Sequence, residues 1–271
     1  MTYSGFLLFF LIIPVLILFT LTWRHSHKSF WIAVLVHMIL AVVYTTPWDN
    51  YLVATHVWYY DPKLISGIVL GYVPLEEYTF FLLQTLSVGL WWQFVAQRTA
   101  LVADFKPSLR LRAFSVILAA LIWIGAAFVF LIRLKQMTYL SIILFWAIPP
   151  IIPQLYFGAD ILWHQRKLLV WTILPVGLYL SLADSLAIES GTWTINPAQS
   201  TGIFIGKLPL EEAVFFFATV TLLSFGITLL MEKESRVRWM DIKGSVGDSK
   251  ASYKLKSVVT RLIWPEGVKR Y

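Results

Sequence analysis

The chain has 271 residues, 58% hydrophobic and 14% charged, with a formal charge of +7 and no cysteine. A soluble domain is nearer a quarter charged, so the composition excludes an ordinary globular protein. Without thiols there are no disulfides, thiolate metal sites or cysteine nucleophiles, and no metal site is expected. The basic residues gather in particular loops, which speaks for membrane topology and against a nucleic-acid partner.

Apolar runs long enough to cross a bilayer, about 20 residues each, lie at roughly 3–23, 30–47, 74–96, 112–132, 138–158, 166–185 and 209–231. The first lacks a basic leader and a small-residue cleavage site, so it reads as a retained helix. The expected fold is an all-α membrane protein with seven transmembrane helices. With the N-terminus outside, eighteen Lys/Arg fall on cytoplasmic segments, ten of them after Met231, against four outside (Lys63, Arg133, Lys135 and Lys207). The positive-inside rule therefore predicts the N-terminus outside and the C-terminus cytoplasmic. The tail, 232–271, is polar and basic and reads as an anchor to anionic lipid. Its stretch from Val258 to Pro265 has the composition of a surface-lying segment.

A shift of 135 residues reveals a repeat. Between positions 44 and 81 there are 13 identities in 38 positions without a gap. Tyr44 meets Tyr179, Asp49 meets Asp184, Trp58 meets Trp193, and Pro74-Leu-Glu-Glu meets Pro209-Leu-Glu-Glu. The matches are mainly Trp, Pro, Gly, Asp, Glu and Phe, which biased composition does not supply. Pro14 meets Pro149 at the same shift. Each repeat holds three helices, and an odd number would invert the second copy on direct fusion. The helix at 112–132 has no counterpart, and its extra crossing keeps the copies parallel. The expected organisation is a first repeat at 1–97, a linker with the extra helix at 98–137, a second repeat at 138–231 and the tail at 232–271. Between the second and third helices of each repeat, residues suited to strands flank Asp61-Pro62 and Asn196-Pro197. These predict a small extracytoplasmic hairpin turning at each dipeptide.

The duplicated Glu76-Glu77 and Glu211-Glu212 open membrane spans. A proline at the first helical position followed by acids is an ordinary helix start. Yet each pair runs into Phe-Phe and a span, and ionisable groups in membranes are usually functional. Neighbours on a helix point about 100° apart. One Glu of each pair can therefore face the bundle while the other holds it or caps the helix. A protonated acid in a dry, aromatic cavity suits protonation of an alkene to a carbocation. Aromatic faces stabilise such cations, and Phe80, Phe81, Phe215, Phe216, Trp58 and Trp193 are the candidates. Asp49, Asp184, Tyr44 and Tyr179 are supporting polar residues that orient the acids, relay protons or sit at the water interface. His37 lies mid-span without a counterpart and reads as a core histidine.

These residues resemble the integral-membrane lycopene cyclases, in the form that fuses two small subunits. Duplicated Pro-Leu-Glu-Glu after a Trp…Pro…Gly-Ile…Gly segment carries the resemblance, over about 1–231. It implies a non-redox, acid-catalysed ring closure of the linear carotenoid lycopene, with acids at Glu76, Glu77, Glu211 and Glu212. It implies no cofactor, lycopene and membrane lipid as partners, and a place beside other carotenoid-forming enzymes. Asp61 against Asn196 is a departure between the copies. Rival readings are a carotenoid-binding protein without turnover and a proton-coupled transporter. A covalent retinal protein is excluded, since no lysine lies between Leu208 and Met231.

Overall fold

The computed structural model describes residues 1–99 and 104–245. The surface segment expected at Val258–Pro265 lies outside the described residues. Among the described residues, seven helices are long and apolar enough to cross a membrane: α1 Tyr3–His25, α2 Lys28–Ala54, α3 Leu75–Ala96, α4 Leu109–Leu131, α5 Lys135–His164, α6 Arg166–Glu189 and α7 Leu210–Met231. The seven-helix membrane expectation holds. Several helices run beyond the expected spans. α2 continues past Pro47, and α5 continues past Pro149, Pro150 and Pro153 to a kink at Gly158 (φ −154°, ψ 31°). Lys233–Ser245, read as plain tail, forms a further helix, α8.

Burial sorts the helices. The most apolar stretch of α3 is 61% buried and that of α7 56%, against 11% for α4. α1 and α2 pack on α3, α5 and α6 pack on α7, and α3 and α7 touch each other. α4 packs mainly on α5. It turns Phe114, Leu121 and Phe128 outward, as a lipid-facing helix does.

Proline breaks the backbone pairing in matched places. Pro14 has no N–H for the carbonyl of Phe10, and Pro150 has none for that of Trp146. Ahead of Pro14 the helix opens into a π-turn over Leu8–Ile12. The freed carbonyls are satisfied from the other half: Tyr179 donates its hydroxyl to Phe10 O at 3.1 Å, and Tyr44 to Trp146 O at 2.9 Å. A shift of 136 brings Pro14 onto Pro150 and Phe10 onto Trp146, where a shift of 135 brings Pro14 onto Pro149.

The short strands differ from expectation. β1 (Trp58–Tyr60) pairs antiparallel with β4 (Trp193–Ile195), in the register Trp58 to Ile195, Tyr59 to Thr194 and Tyr60 to Trp193. The hairpins within each half are β2 (Val69–Leu70) with β3 (Val73–Pro74), and β5 (Phe204–Ile205) with β6 (Leu208–Pro209). Asp61-Pro62 does form a turn, with Leu64 N donating to Asp61 O at 2.9 Å. The strand before it pairs across the two halves and not back on its own. The reason lies in its tryptophans: Trp58 packs on Tyr139 of α5, and Trp193 on Tyr3 of α1. The hairpin turns at Gly71 instead, at φ +71°, a conformation glycine adopts without strain.

Candidate functional site

The site forms where α3 and α7 begin beneath the crossed strands. Pro74 and Pro209 close β3 and β6 and stand as the residues before the helices, one position earlier than a first-turn proline. The two acids that follow each proline diverge. Glu76 turns back to the preceding loop, accepting from Ser66 N at 2.6 Å and Ser66 Oγ at 2.9 Å. Glu211 does the same from Thr201 N at 2.5 Å. Both tie a hairpin to a helix start, as an acid at a positive helix end does.

Glu77 and Glu212 point the other way. Tyr3 donates to Glu77 Oε2 at 2.5 Å and Tyr60 to the same oxygen at 2.9 Å. Tyr139 donates to Glu212 Oε1 at 2.6 Å. The two carboxyls line one cavity of about 40 Å³, together with Tyr3, Tyr60, Asp184 and Ile195. Its aromatic wall is Trp58, Trp193, Phe80, Phe215 and Phe216. Burial first, and then the neighbouring charge of Glu77, push the Tyr60 phenol well above its ordinary range. It stays a protonated donor at neutral pH.

Of the other expected residues, Asp184 reaches the cavity and the rest sit elsewhere. Phe81 packs in the core against Tyr78 and Phe80 and does not line the cavity. Asp184 faces the cavity and accepts from Trp193 Nε1 at 3.0 Å. Its counterpart Asp49 is fully buried, and neither carboxyl oxygen has a hydrogen-bond partner among the described residues. Trp48 lies beside it, stacked on Trp146 at 4.5 Å and Phe215 at 5.6 Å, where the second half has Ala183. Tyr44 and Tyr179 serve the proline-freed carbonyls and make no hydrogen bond to these acids among the described residues. His37 bonds the carbonyl of Ala33 at 2.7 Å, within the core.

Tyr3, Tyr60 and Tyr139 escaped the sequence reading. For Tyr3 and Tyr139 the available signal was a tyrosine at the start of the first helix of each expected repeat, aligned at a shift of 136 and not 135.

Fold and site together define a multi-pass membrane protein with paired carboxyls in an aromatic cavity. The family model described as "Lycopene cyclase" matches residues 1–95 and 136–231. The chain belongs to the lycopene cyclase family. It is 38% identical over 192 residues to a lycopene beta-cyclase of Halobacterium salinarum, covering 71% of this chain and 79% of that one. It is 34% identical over 234 residues to a bifunctional lycopene cyclase/phytoene synthase of Phaeosphaeria nodorum, covering 79% of this chain and 38% of that protein. No solved structure matches.

Proposed function

We propose that the chain is a lycopene beta-cyclase that works as an isomerase, adding and removing a proton without redox chemistry or a cofactor. The observation that carries this reading is the shared cavity of Glu77 and Glu212, each carboxyl gripped by a phenol. An acid there protonates the terminal double bond of lycopene. The next double bond along the chain attacks the cation and closes a six-membered ring. Loss of a proton restores neutrality. Aromatic faces beside the path lower the energy of the cation, and exclusion of water prevents its capture. The free space holds no more than a few water-sized molecules. A carotenoid end therefore enters by displacing cavity side chains.

The proposed architecture is two parallel repeats about one axis. Its support is the β1–β4 register, in which Tyr59 faces Thr194, its own counterpart. Likewise Gln84 Nε2 donates to Thr219 Oγ1 at 2.9 Å, 135 residues on. An antiparallel pair centred on equivalent residues is what a two-fold axis between the copies requires. The lopsided Lys/Arg loops support placing the hairpins and acids near the outer face, with the C-terminus cytoplasmic. Membrane lipid surrounds the helices, and other carotenoid-forming enzymes are proposed neighbours. The names of the relatives support an enzyme over a carrier or transporter.

The test is expression in lycopene-accumulating bacteria with chromatography of the pigments. Cyclised carotenoid is expected; unchanged lycopene beside well-folded protein would contradict the reading.

A further inference from the structure

The cavity is built from two similar halves, yet its two carboxyls are held differently. Two phenols converge on one oxygen of Glu77, and the rings of Tyr3 and Tyr60 stack at 6.0 Å. Glu212 receives one phenol, from Tyr139. The difference is a single residue. The counterpart of Tyr60, 135 positions on, is Ile195, which lines the same cavity but has no hydroxyl to give. An ionised carboxylate is acceptor-only, while the neutral acid keeps one O–H to donate. Two donors on one oxygen suit the acceptor, and a single donor leaves Glu212 room to carry its proton.

We propose that Glu212 donates the proton that starts ring closure, that Glu77 removes the proton that ends it, and that Tyr60 is the positioning residue that fixes Glu77 in this role and directs formation of the β ring. This rests on the cyclase reading above. The Glu212 O–H bond breaks as a C–H bond forms at the terminal double bond, leaving a cation on the dimethyl carbon. The π pair of the next double bond forms the ring bond and moves the cation to the methyl-bearing ring carbon. Glu77 takes a proton from an adjacent carbon, and that C–H pair becomes the new double bond. One proton has entered and one has left, so the product is an isomer. Glu77 and Glu212 return to their starting states by exchange with water once the ring withdraws.

The final cation has three kinds of neighbouring C–H. Loss from the carbon bearing the polyene gives a β ring, loss from the ring methylene an ε ring, and loss from the methyl an exocyclic double bond. The position of the base selects among them, whereas the donor has finished its work by then. A weakened donor therefore slows turnover, and a displaced base changes the ring, whereas loss of either carboxyl stops the reaction. This separates Tyr60 from Tyr139, and both from residues that only hold the fold.

The experiment compares the intact chain with Tyr60→Phe and Tyr139→Phe in lycopene-accumulating cells, scoring ring types per folded protein. Tyr60→Phe should still consume lycopene but raise the share of non-β rings by about tenfold or more, a difference worth about 1.4 kcal/mol between competing steps. Tyr139→Phe should slow cyclisation about tenfold and yield β rings alone. Only β rings from Tyr60→Phe, at any rate of turnover, would overturn the proposal, as would a ring change from Tyr139→Phe. So would folded Tyr60→Phe that leaves lycopene untouched. Should Tyr60→Phe not fold, Glu77→Asp decides: it draws the base back by one methylene, and rings of β type alone from it would overturn the proposal. Uncyclised lycopene with the unmutated chain would instead overturn the cyclase reading itself.

Discussion

The hydroxyl of Tyr3 lies 2.5 Å from Oε2 of Glu77, across 74 residues of sequence. Tyr139 meets Glu212 at 2.6 Å across 73 residues. α1 thus lines the cavity through Tyr3, and α5 holds the lining acid Glu212 through Tyr139, so neither helix is a mere membrane anchor.

The acids of each pair should separate by assay. Glu77→Gln and Glu212→Gln should each cut cyclisation by at least about a hundredfold, the usual worth of a positioned acid or base. Glu76→Gln and Glu211→Gln should chiefly lower stability, since those carboxyls hold backbone N–H groups; about 1.5–3 kcal/mol each is expected. Pigment analysis beside thermal melting of the detergent-purified protein distinguishes the two effects.

Tyr44→Phe and Tyr179→Phe should each destabilise the protein by about 1–3 kcal/mol, because a carbonyl freed by proline is left without a donor in an apolar setting. Activity per folded molecule should persist. Melting temperature and pigment yield measured on the same preparations check both halves of this expectation.

Gly71 and Gly67 form a matched pair of tests. Both have positive φ, +71° and +82°. A Cβ at Gly71 would lie 2.2 Å from Asn50 Oδ1, which accepts from Tyr72 N at 2.7 Å, while one at Gly67 meets nothing within 4 Å. Gly67→Ala should cost about 1 kcal/mol of backbone strain. Gly71→Ala should cost roughly 1–3 kcal/mol more through the displaced hydrogen bond. Paired melting curves read the difference.

At the far side of the molecule, Arg238 of α8 makes two 2.7 Å bonds to the carboxylate of Asp160, which also accepts from Ser108 N at 2.9 Å. The arginine side chain is 12% exposed and the aspartate 2%. Arg238→Ala should destabilise by about 3–5 kcal/mol, because the aspartate keeps a buried charge without its partner. Arg238→Ala with Asp160→Asn should recover part of that loss, and denaturation of the single and double variants tests the coupling.

The sequence exposed its helices because a bilayer demands long apolar runs, and it exposed Glu77 and Glu212 because the motif occurs twice. The partner of β1 was not legible. Trp58 and Tyr60 look the same whether the strand folds back or crosses to β4, and only the distant Tyr139 and Tyr3 decide. Tyr44 and Tyr179, five residues before Asp49 and Asp184, offer in sequence either a role beside the acids or a place at the water interface. Their hydroxyls instead answer a need created by Pro14 and Pro150 on other helices, which no local pattern reveals. Helix α8 was hidden by its charge, and it holds α5 through Arg238 on Phe157 O and Asp160, either side of a Gly158 kink that is invisible in an apolar run.

The central claim is that a carboxyl proton enters the carotenoid and becomes part of the ring. Cyclisation of lycopene by the purified protein in deuterated water, followed by mass spectrometry, tests this directly. The account predicts one deuterium per ring formed, on the carbon that was protonated, and no other change in hydrogen count. Rings formed without deuterium, or with hydrogen lost overall, would contradict it.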